Sequence, residues 1–291
     1  GSQHTMTCNN SGGNAPGRDG GADQLVPTCL IGEDYVAVRG SGQDYSNYVI
    51  VVGVTASTAI YINGNASPVA TVGPGEYYEY QLSGNSGDVH YIRTDRPAYA
   101  YQVGNLDSNN KPGMAIMSPV GNCRGESTVD FVKFLGLDNE VTVLVPTPVL
   151  STLTLNSNIY SSYAGINTSA VPGLPTYTSV TIPDAHISSF NRLEADQPFI
   201  ASQYVGGSAG VGAGSFSYLT SFTDEVIITN PSTGIVDFNY SLDTLCGGIA
   251  FNHCVEATSC AGGQYITDII PGAHTASVFF DPTSLNTCFS Y

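Results

Sequence analysis

The sequence contains no tryptophan and is short of charge, above all of positive charge. Charged residues make up 11% of its 291 residues, against about 25% in an average globular domain. Only 8 basic residues stand against 24 acidic ones, so the formal net charge is −16. Nucleic acids and anionic membranes bind to clustered lysine and arginine, and no two basic residues are adjacent here. We therefore expect no nucleic-acid partner and no membrane insertion.

Long apolar runs and amphipathic helical patterns are also missing. No stretch approaches the roughly 20 apolar residues of a membrane-spanning helix. Short segments rich in Val, Ile, Thr, Tyr and Phe alternate with Gly, Asn and Pro turns, which is the pattern of an all-β protein. The 33 glycines and 18 tyrosines agree with it. The predicted fold is all-β and antiparallel.

Two segments repeat each other. Residues 91–104 read YIRTDRPAYAYQVG, and residues 192–206 read RLEADQPFIASQYVG. In both, Asp-x-Pro separates two strand-like runs, and this tripeptide predicts a corner between two strands because Asp tolerates turns and Pro fixes φ. Tyr48–Asn63, Glu140–Asn156 and Glu225–Ser241 share a second pattern, two strand-like runs separated by a turn, and the third unit lacks a clear Asp-x-Pro. The sequence thus predicts repeated sandwich-like units, two clear and a divergent third, in a closed pseudo-symmetric array.

These patterns divide the chain into five stretches. We expect the sequence to be part of a longer protein, and residues 7–24 to lack regular structure because Gly, Asn and Asp dominate them. The predicted stretches are an expression scar at 1–6, a Gly/Asn/Asp-rich entry segment at 7–31, β units at 32–122 and 123–214, and a cysteine-rich unit at 215–291.

The seven cysteines include no C-x-x-C pair, which argues against zinc and thioredoxin-like sites. Their crowding near the C-terminus favours disulfides in an oxidising compartment. Cys8 with Cys29 is a candidate clamp on the entry segment, Cys123 is the candidate free thiol, and the pairing is left open. The disulfide candidates are Cys8, Cys29, Cys246, Cys254, Cys260 and Cys288.

No motif predicts catalysis. Gly206-x-Ser208-x-Gly210 has the nucleophile-elbow spacing, but more glycines follow where a helix is needed, so we interpret it as a linker. The Asp88/His90 and Asp184/His186 pairs lack zinc spacing. Residues two apart on a strand share a face, so the members of each pair are within reach of a hydrogen bond, and we interpret both pairs as polar residues of turns or of the surface.

An oxygen-rich loop offers the stronger of two candidate calcium sites. Asn105, Asp107 and Asn109 precede Gly113 in the manner of half a calcium loop, without the closing glutamate. Asp19 and Asp23 are a weaker second candidate. We expect no other cofactor, and a bound calcium would be structural.

Tyrosine is the residue type with the most binding potential, because its ring supplies rigid amphipathic contact area. The alternative is that the tyrosines fill core positions of the strands. The candidate ligand-binding residues are Tyr77, Tyr78, Tyr99 and Tyr101.

The run GEDYVAV at 32–38, the strand–turn–strand at 49–62, GPGEYYEYQL at 73–82 and IRTDRPAYAYQ at 92–102 resemble the N-terminal domain family of IgG-Fc-binding proteins. The resemblance covers most of residues 32–205. It implies an extracellular domain of mucin-like animal proteins or of large bacterial surface proteins, without enzymatic activity or cofactor.

The expected function is a non-enzymatic adhesion or binding module of a secreted or cell-surface protein, with a protein or glycan ligand. Two alternatives stay open. One is a carbohydrate-binding accessory module of a polysaccharide-degrading system, against which the missing tryptophan counts. The other is a structural spacer, which buried tyrosines would favour.

Overall fold

The chain folds almost entirely into antiparallel β-sheets, which confirms the predicted fold class. The structure is a computed structural model. It describes residues 2–9, 16–23, 25–26, 28, 30–42, 46–106, 112–121, 125–207, 214–220, 227–230, 234–236, 251–258 and 264–269.

The first large sheet has strand order β6-β5-β8-β4-β7, and β3 and β9 also pair with β8. Its strands are β3 (Gly32–Val38), β4 (Tyr48–Gly53), β5 (Thr58–Ile62), β6 (Ala70–Val72), β7 (Tyr77–Gln81), β8 (Val89–Gly104) and β9 (Gly113–Ile116).

The second large sheet has order β13-β12-β16-β11-β15-β14, and β10 and β17 also pair with β16. Its strands are β10 (Glu126–Val132), β11 (Asp138–Pro146), β12 (Thr154–Leu155), β13 (Asn158–Ile159), β14 (Asn167–Ala170), β15 (Tyr177–Pro183), β16 (Phe190–Gly206) and β17 (Gly214–Tyr218). Short 3₁₀ helices lie at Thr147–Thr152, Tyr160–Ser162 and Asp184–His186.

Two smaller sheets lie at the ends of the chain. A four-stranded C-terminal sheet has order β19-β18-β20-β21. An N-terminal hairpin pairs Ser2 with Asp23 through to Asn9 with Pro16. The prediction of irregular structure was wrong for residues 7–9 and 16–23, because ladder hydrogen bonds join backbone groups and need no strand-favouring side chains. The strands are β1 (Ser2–Asn9), β2 (Pro16–Asp23), β18 (Ile227–Asn230), β19 (Gly234–Val236), β20 (Phe251–Thr258) and β21 (Gln264–Ile269).

The Asp-x-Pro segments do not end their strands. β8 runs for 16 residues straight through Asp95–Pro97, and β16 runs through Asp196–Pro198 in the same way. The ladder changes register there: Gly32 faces Ala98, yet Asp34 faces Arg93. The predicted corner is therefore a bulge-like irregularity, at which one strand leaves its first set of partners for a second.

Each half of the long strand then serves a different set of neighbours. In β8, the first half pairs with β3 and β5, and the second half pairs with β4 and β9. In β16, the first half pairs with β10 and β12, and the second half with β11 and β17. The two sheets share this plan, and the division of the whole chain into three units stays a prediction.

Alternating side chains fill a separate core in each large sheet, as strand periodicity requires. The first core contains Tyr35, Val49, Val51, Ile60, Leu82, Ile92 and Met117. The second contains Val129, Phe131, Val143, Leu153, Ile182, Leu193 and Phe199.

The two large sheets meet at a buried polar junction. The Tyr204 hydroxyl donates to the Val38 carbonyl at 2.5 Å, and the Gln102 amide donates to the same hydroxyl at 2.5 Å. Tyr218 donates to Gln102 Oε1 at 3.2 Å. Burial raises the pKa of Tyr204 well above its ordinary value. The hydrogen bonds satisfy these groups, so the junction fixes one relative position of the sheets.

Glu140 lies on the side of β11 that packs toward this junction, opposite Tyr204 in the ladder. Its Oε1 oxygen is buried and makes no hydrogen bond among the residues that the structure describes. Burial raises the pKa of its carboxyl to about 7. Near neutral pH the enclosed carboxyl therefore exchanges a proton, which sets up the pH dependence predicted below.

Candidate binding surface

Three of the four predicted binding residues lie on one face of the first large sheet. In the ladder, Val52 of β4 faces Tyr77 of β7 on one side and Tyr99 of β8 on the other. Directly opposed residues of adjacent strands share a face, so these side chains form one row. Tyr101 lies two residues along β8 on the same face, opposite Ile50. We call the row Tyr77–Val52–Tyr99 the tyrosine surface.

Exposure along this face is uneven. Tyr77 is 59% exposed, whereas Tyr101 is 3% exposed. Tyr101 packs in a cluster with Tyr48, Ile50 and Val103. Its ring stacks on that of Tyr99, with centroids 6.5 Å apart. Tyr101 therefore lies on this face but is covered by its neighbours, and Tyr77 offers a ligand the largest exposed area.

The segment before β3 lies over the centre of the face. The Tyr99 hydroxyl donates to the Val26 carbonyl at 2.6 Å, and the Ile116 amide donates to Asp23 Oδ2 at 2.7 Å. Burial raises the pKa of the Tyr99 hydroxyl. The segment leaves Tyr99 half-buried, so the accessible part of the tyrosine surface lies toward β7.

Tyr78, the fourth predicted residue, points to the other side of β7. It packs against the first core together with Tyr80, because successive residues of a strand face opposite ways. Glu79 shares the outer side with Tyr77 and is exposed. The tyrosine surface thus carries a carboxylate beside its most exposed ring.

Of the calcium candidates, only Asn105 can be located. Its side chain is 1% exposed, and its Oδ1 accepts hydrogen bonds from Ser46 Oγ at 3.2 Å and from Asn47 Nδ2 at 3.4 Å. This oxygen holds the turn before β4 in place. Asp107 and Asn109 lie outside the described residues, and the calcium site stays a prediction.

Of the second calcium pair only Asp23 can be located, and the predicted disulfides stay predictions. Asp23 uses its carboxylate on the Ile116 amide. The side chains of Asp19 and of all the cysteines fall outside the described part, as does Ser208 of the Gly-x-Ser-x-Gly segment. Within the described ranges, no group of three or more His, Cys, Asp or Glu residues could hold a metal ion.

The two Asp/His pairs do not form hydrogen bonds with each other. His90 Nδ1 lies 3.0 Å from the Tyr80 hydroxyl, and Asp88 accepts from the Asn85 amide. Burial lowers the pKa of His90.

The second pair is separated because Asp184–His186 is a 3₁₀ helix and not a strand. Asp184 instead binds Lys133 at 2.7 Å. Burial alone would raise the pKa of Asp184, but hydrogen bonds from Lys133 and Asn139 outweigh it and lower that pKa. His186 Nε2 lies 2.5 Å from the Ala164 carbonyl oxygen. Neither Asp/His pairing forms, and the four side chains make structural contacts.

The sequence analysis missed a second exposed surface, on β10, β16 and the turn after β10. Phe190 is 81% exposed, Leu135 77%, Phe134 50% and Val132 46%. Val132 and Phe190 oppose each other in the ladder. A contiguous exposed apolar patch marks an interaction surface. The signal in the sequence was the run FVKFLGL at 131–137, which is more apolar than an exposed turn requires.

Comparison with known proteins identifies the family. No described helix is long and apolar enough to cross a membrane. No curated protein and no solved structure matches the chain. The family described as IgGFc binding protein matches residues 1–213, which include the entry segment, the first large sheet and all of the second except β17. This match covers well over half of the sequence, so the chain belongs to the IgG-Fc-binding protein family.

Proposed function

We propose that this chain is a non-enzymatic adhesion or binding module of a larger secreted or cell-surface protein. It binds a protein or glycan ligand through the tyrosine surface. The observation that carries the proposal is the row Tyr77–Val52–Tyr99, which places two tyrosine rings on one outward face of a rigid sheet. Binding surfaces use tyrosine because it gives large contact area for little lost side-chain entropy.

Family membership supports the class of function. The family is one of extracellular binding domains and not of enzymes. Each located Asp and His of the candidate pairs is used in a structural contact, as described above. The mechanism is multivalent contact, in which weak sites on neighbouring copies at one surface add up to firm attachment.

A structural spacer is the second candidate, and one observation favours it. Tyr101 is 3% exposed, and Tyr99 is tied to the preceding segment through its hydroxyl. If the exposed ring of Tyr77 binds no ligand, the tyrosines of this face contribute only to the packing of the first large sheet. The experiment below separates the two functions.

The test is a binding screen of the full chain against immunoglobulin Fc, mucin and a glycan array, each with calcium and with a chelator. Tyr77→Ala should weaken a specific hit by about tenfold or more, because it removes a ring with the energy typical of an interface anchor. Val69→Ala is the matched control, since Val69 is 44% exposed and lies directly before β6, outside the row that forms the tyrosine surface.

Two results would contradict binding through the tyrosine surface. One is silence across the whole panel by a folded chain, which favours the spacer. The other is a hit that Tyr77→Ala and Val69→Ala weaken equally, which would move the ligand to another surface. Loss of the hit in the chelator would support a calcium-dependent site.

A further inference from the structure

The two long strands carry matching rows of residues on their outward side. In the first large sheet, Val38 opposes Val89, and the register shifts between Gly32 and Asp34. In the second, Val132 opposes Phe190, and the register shifts between Glu126 and Thr128. Val38 lies four residues after Asp34, and Val132 lies four residues after Thr128, so the rows Val38–Val89 and Val132–Phe190 occupy corresponding positions in the two sheets.

The turn beside each row confirms the correspondence. Asn63, with φ of 53°, donates its amide to the Tyr91 carbonyl and accepts from the Tyr91 amide at Oδ1. Asn156, with φ of 51°, makes the same two bonds with Arg192. The two faces are therefore built alike down to individual hydrogen bonds.

In the first sheet this face is covered by the sheet that follows it in the chain. Val38 and Val89 are 6% and 7% exposed. They pack with Leu144, Val171 and Ile200 of the second sheet.

The neighbouring turn is covered as well. A Cβ added to Gly64 would lie 2.8 Å from Gly173 Cα, so only glycine fits this contact. The first sheet's face is therefore an interface between successive sheets.

In the second sheet the corresponding face is open. Val132 and Phe190 are 46% and 81% exposed. A cleft of about 400 Å³ lies beside them, lined also by Asn156 and Arg192. The Arg192–Asp130 ion pair, at 2.7 Å, borders the cleft. Because these charges neutralise each other, a partner can cover the face without burying an unpaired charge.

We propose that this face is the docking surface for the segment that follows it in the same chain, residues 221–291. That segment packs on the second sheet as the second sheet packs on the first. Each interface of this kind joins two different faces, so it repeats head to tail along a chain and leaves one open face at the end of each stack. This inference concerns a different surface from the proposed ligand site and does not depend on it.

Chain order, length and sequence point to this occupant. The sheet that covers the first face comes next in the chain, and the chain continues after β17 with residues 219–291. Glu225–Ser241 echoes Glu140–Asn156, the segment that contains β11 and supplies Leu144 to the covered face. Strand β18 begins inside that echo, at Ile227, and opens an antiparallel sheet of its own.

Photo-crosslinking of the full chain tests the proposal. With p-benzoylphenylalanine in place of Phe190, irradiation of a dilute sample should produce links within one chain to residues 221–291, located by mass spectrometry. The matched control carries the same group in place of Tyr77, another exposed aromatic position, and should produce no such links.

Links from position 190 to a second copy of the chain, or only to residues 125–220, would overturn the proposal, as would equal linking from both positions. An independent measurement is limited proteolysis of Phe190→Ser. Cleavage within residues 221–291 should become about tenfold faster than in the unmodified chain, because docked segments are cleaved only after they open. Unchanged cleavage there would also overturn the proposal.

Discussion

The two large sheets pair their strands on the same plan, yet they differ in what covers the outward face of the long strand. In the first sheet, valines occupy the row and are buried by the next sheet. In the second, the row ends in Phe190, the most exposed large apolar residue of the described chain. The comparison teaches that one β ladder can form either a core or a surface, depending on which segment follows it.

The largest effect should come from placing a charge in each of the two rows. Val89→Asp buries a carboxylate with no partner and should cost about 4 kcal/mol of folding free energy. Phe190→Asp places the same group where the large sheets are open and should change their stability by less than about 0.5 kcal/mol. Urea unfolding followed by circular dichroism measures both. Equal losses would show that the two rows are buried alike within the large sheets.

The two sheets also differ in the residue at one corresponding position, which is Tyr48 in the first sheet and Glu140 in the second. The pKa of Glu140 is raised from 4.5 to about 7 in the folded chain. Its contribution to stability is therefore fully present below pH 4.5 and is lost as the pH rises through about 7, by up to about 3 kcal/mol.

Glu140→Gln should remove this part of the pH dependence, because the amide does not titrate. The measurement is the urea midpoint of both proteins between pH 5 and pH 8. If the difference between the two urea midpoints did not change with pH, the Glu140 carboxyl would be in contact with water and not buried.

The smallest effect concerns the glycine contact between the sheets. Gly173 has φ of 79° and a Cβ there would lie 2.5 Å from Gly64 Cα, whereas Gly165 has φ of 82° and open space around it. Gly165→Ala should cost about 1 kcal/mol for its backbone conformation. Gly173→Ala should cost about 2 kcal/mol more, because the two turns must also separate. Equal losses of stability for the two variants in thermal unfolding would mean that the turns at Gly64 and Gly173 can separate at no measurable cost.

Much of the local structure could be predicted from the sequence. Alternation at β4, β5, β8 and β16 was sufficient to predict an all-β chain, because side chains of a strand point alternately to two faces. The repeated Asp-x-Pro segment correctly marked two corresponding places. Its structure was not predicted, because whether Pro ends a strand or sits in a bulge depends on the partners of that strand.

The candidate site was predicted only in part. Tyr77 and Tyr99 lie on an outward face, but Tyr101 on the same face is buried by neighbours far away in sequence. Asn105, a predicted calcium ligand, accepts hydrogen bonds from Ser46 and Asn47 through its Oδ1, and the calcium site stays a prediction. Periodicity states which residues share a face, and it does not state whether another segment lies on that face.

The sequence by itself determined the fold class and the family, because these follow from composition and short-range order. Tertiary structure decided which tyrosines reach solvent, where the Asp and His side chains bind, and that Phe190 lies in the open. Those outcomes depend on contacts between residues about 50 to 170 positions apart, such as Tyr204 with Val38, and local propensity carries no information about such contacts.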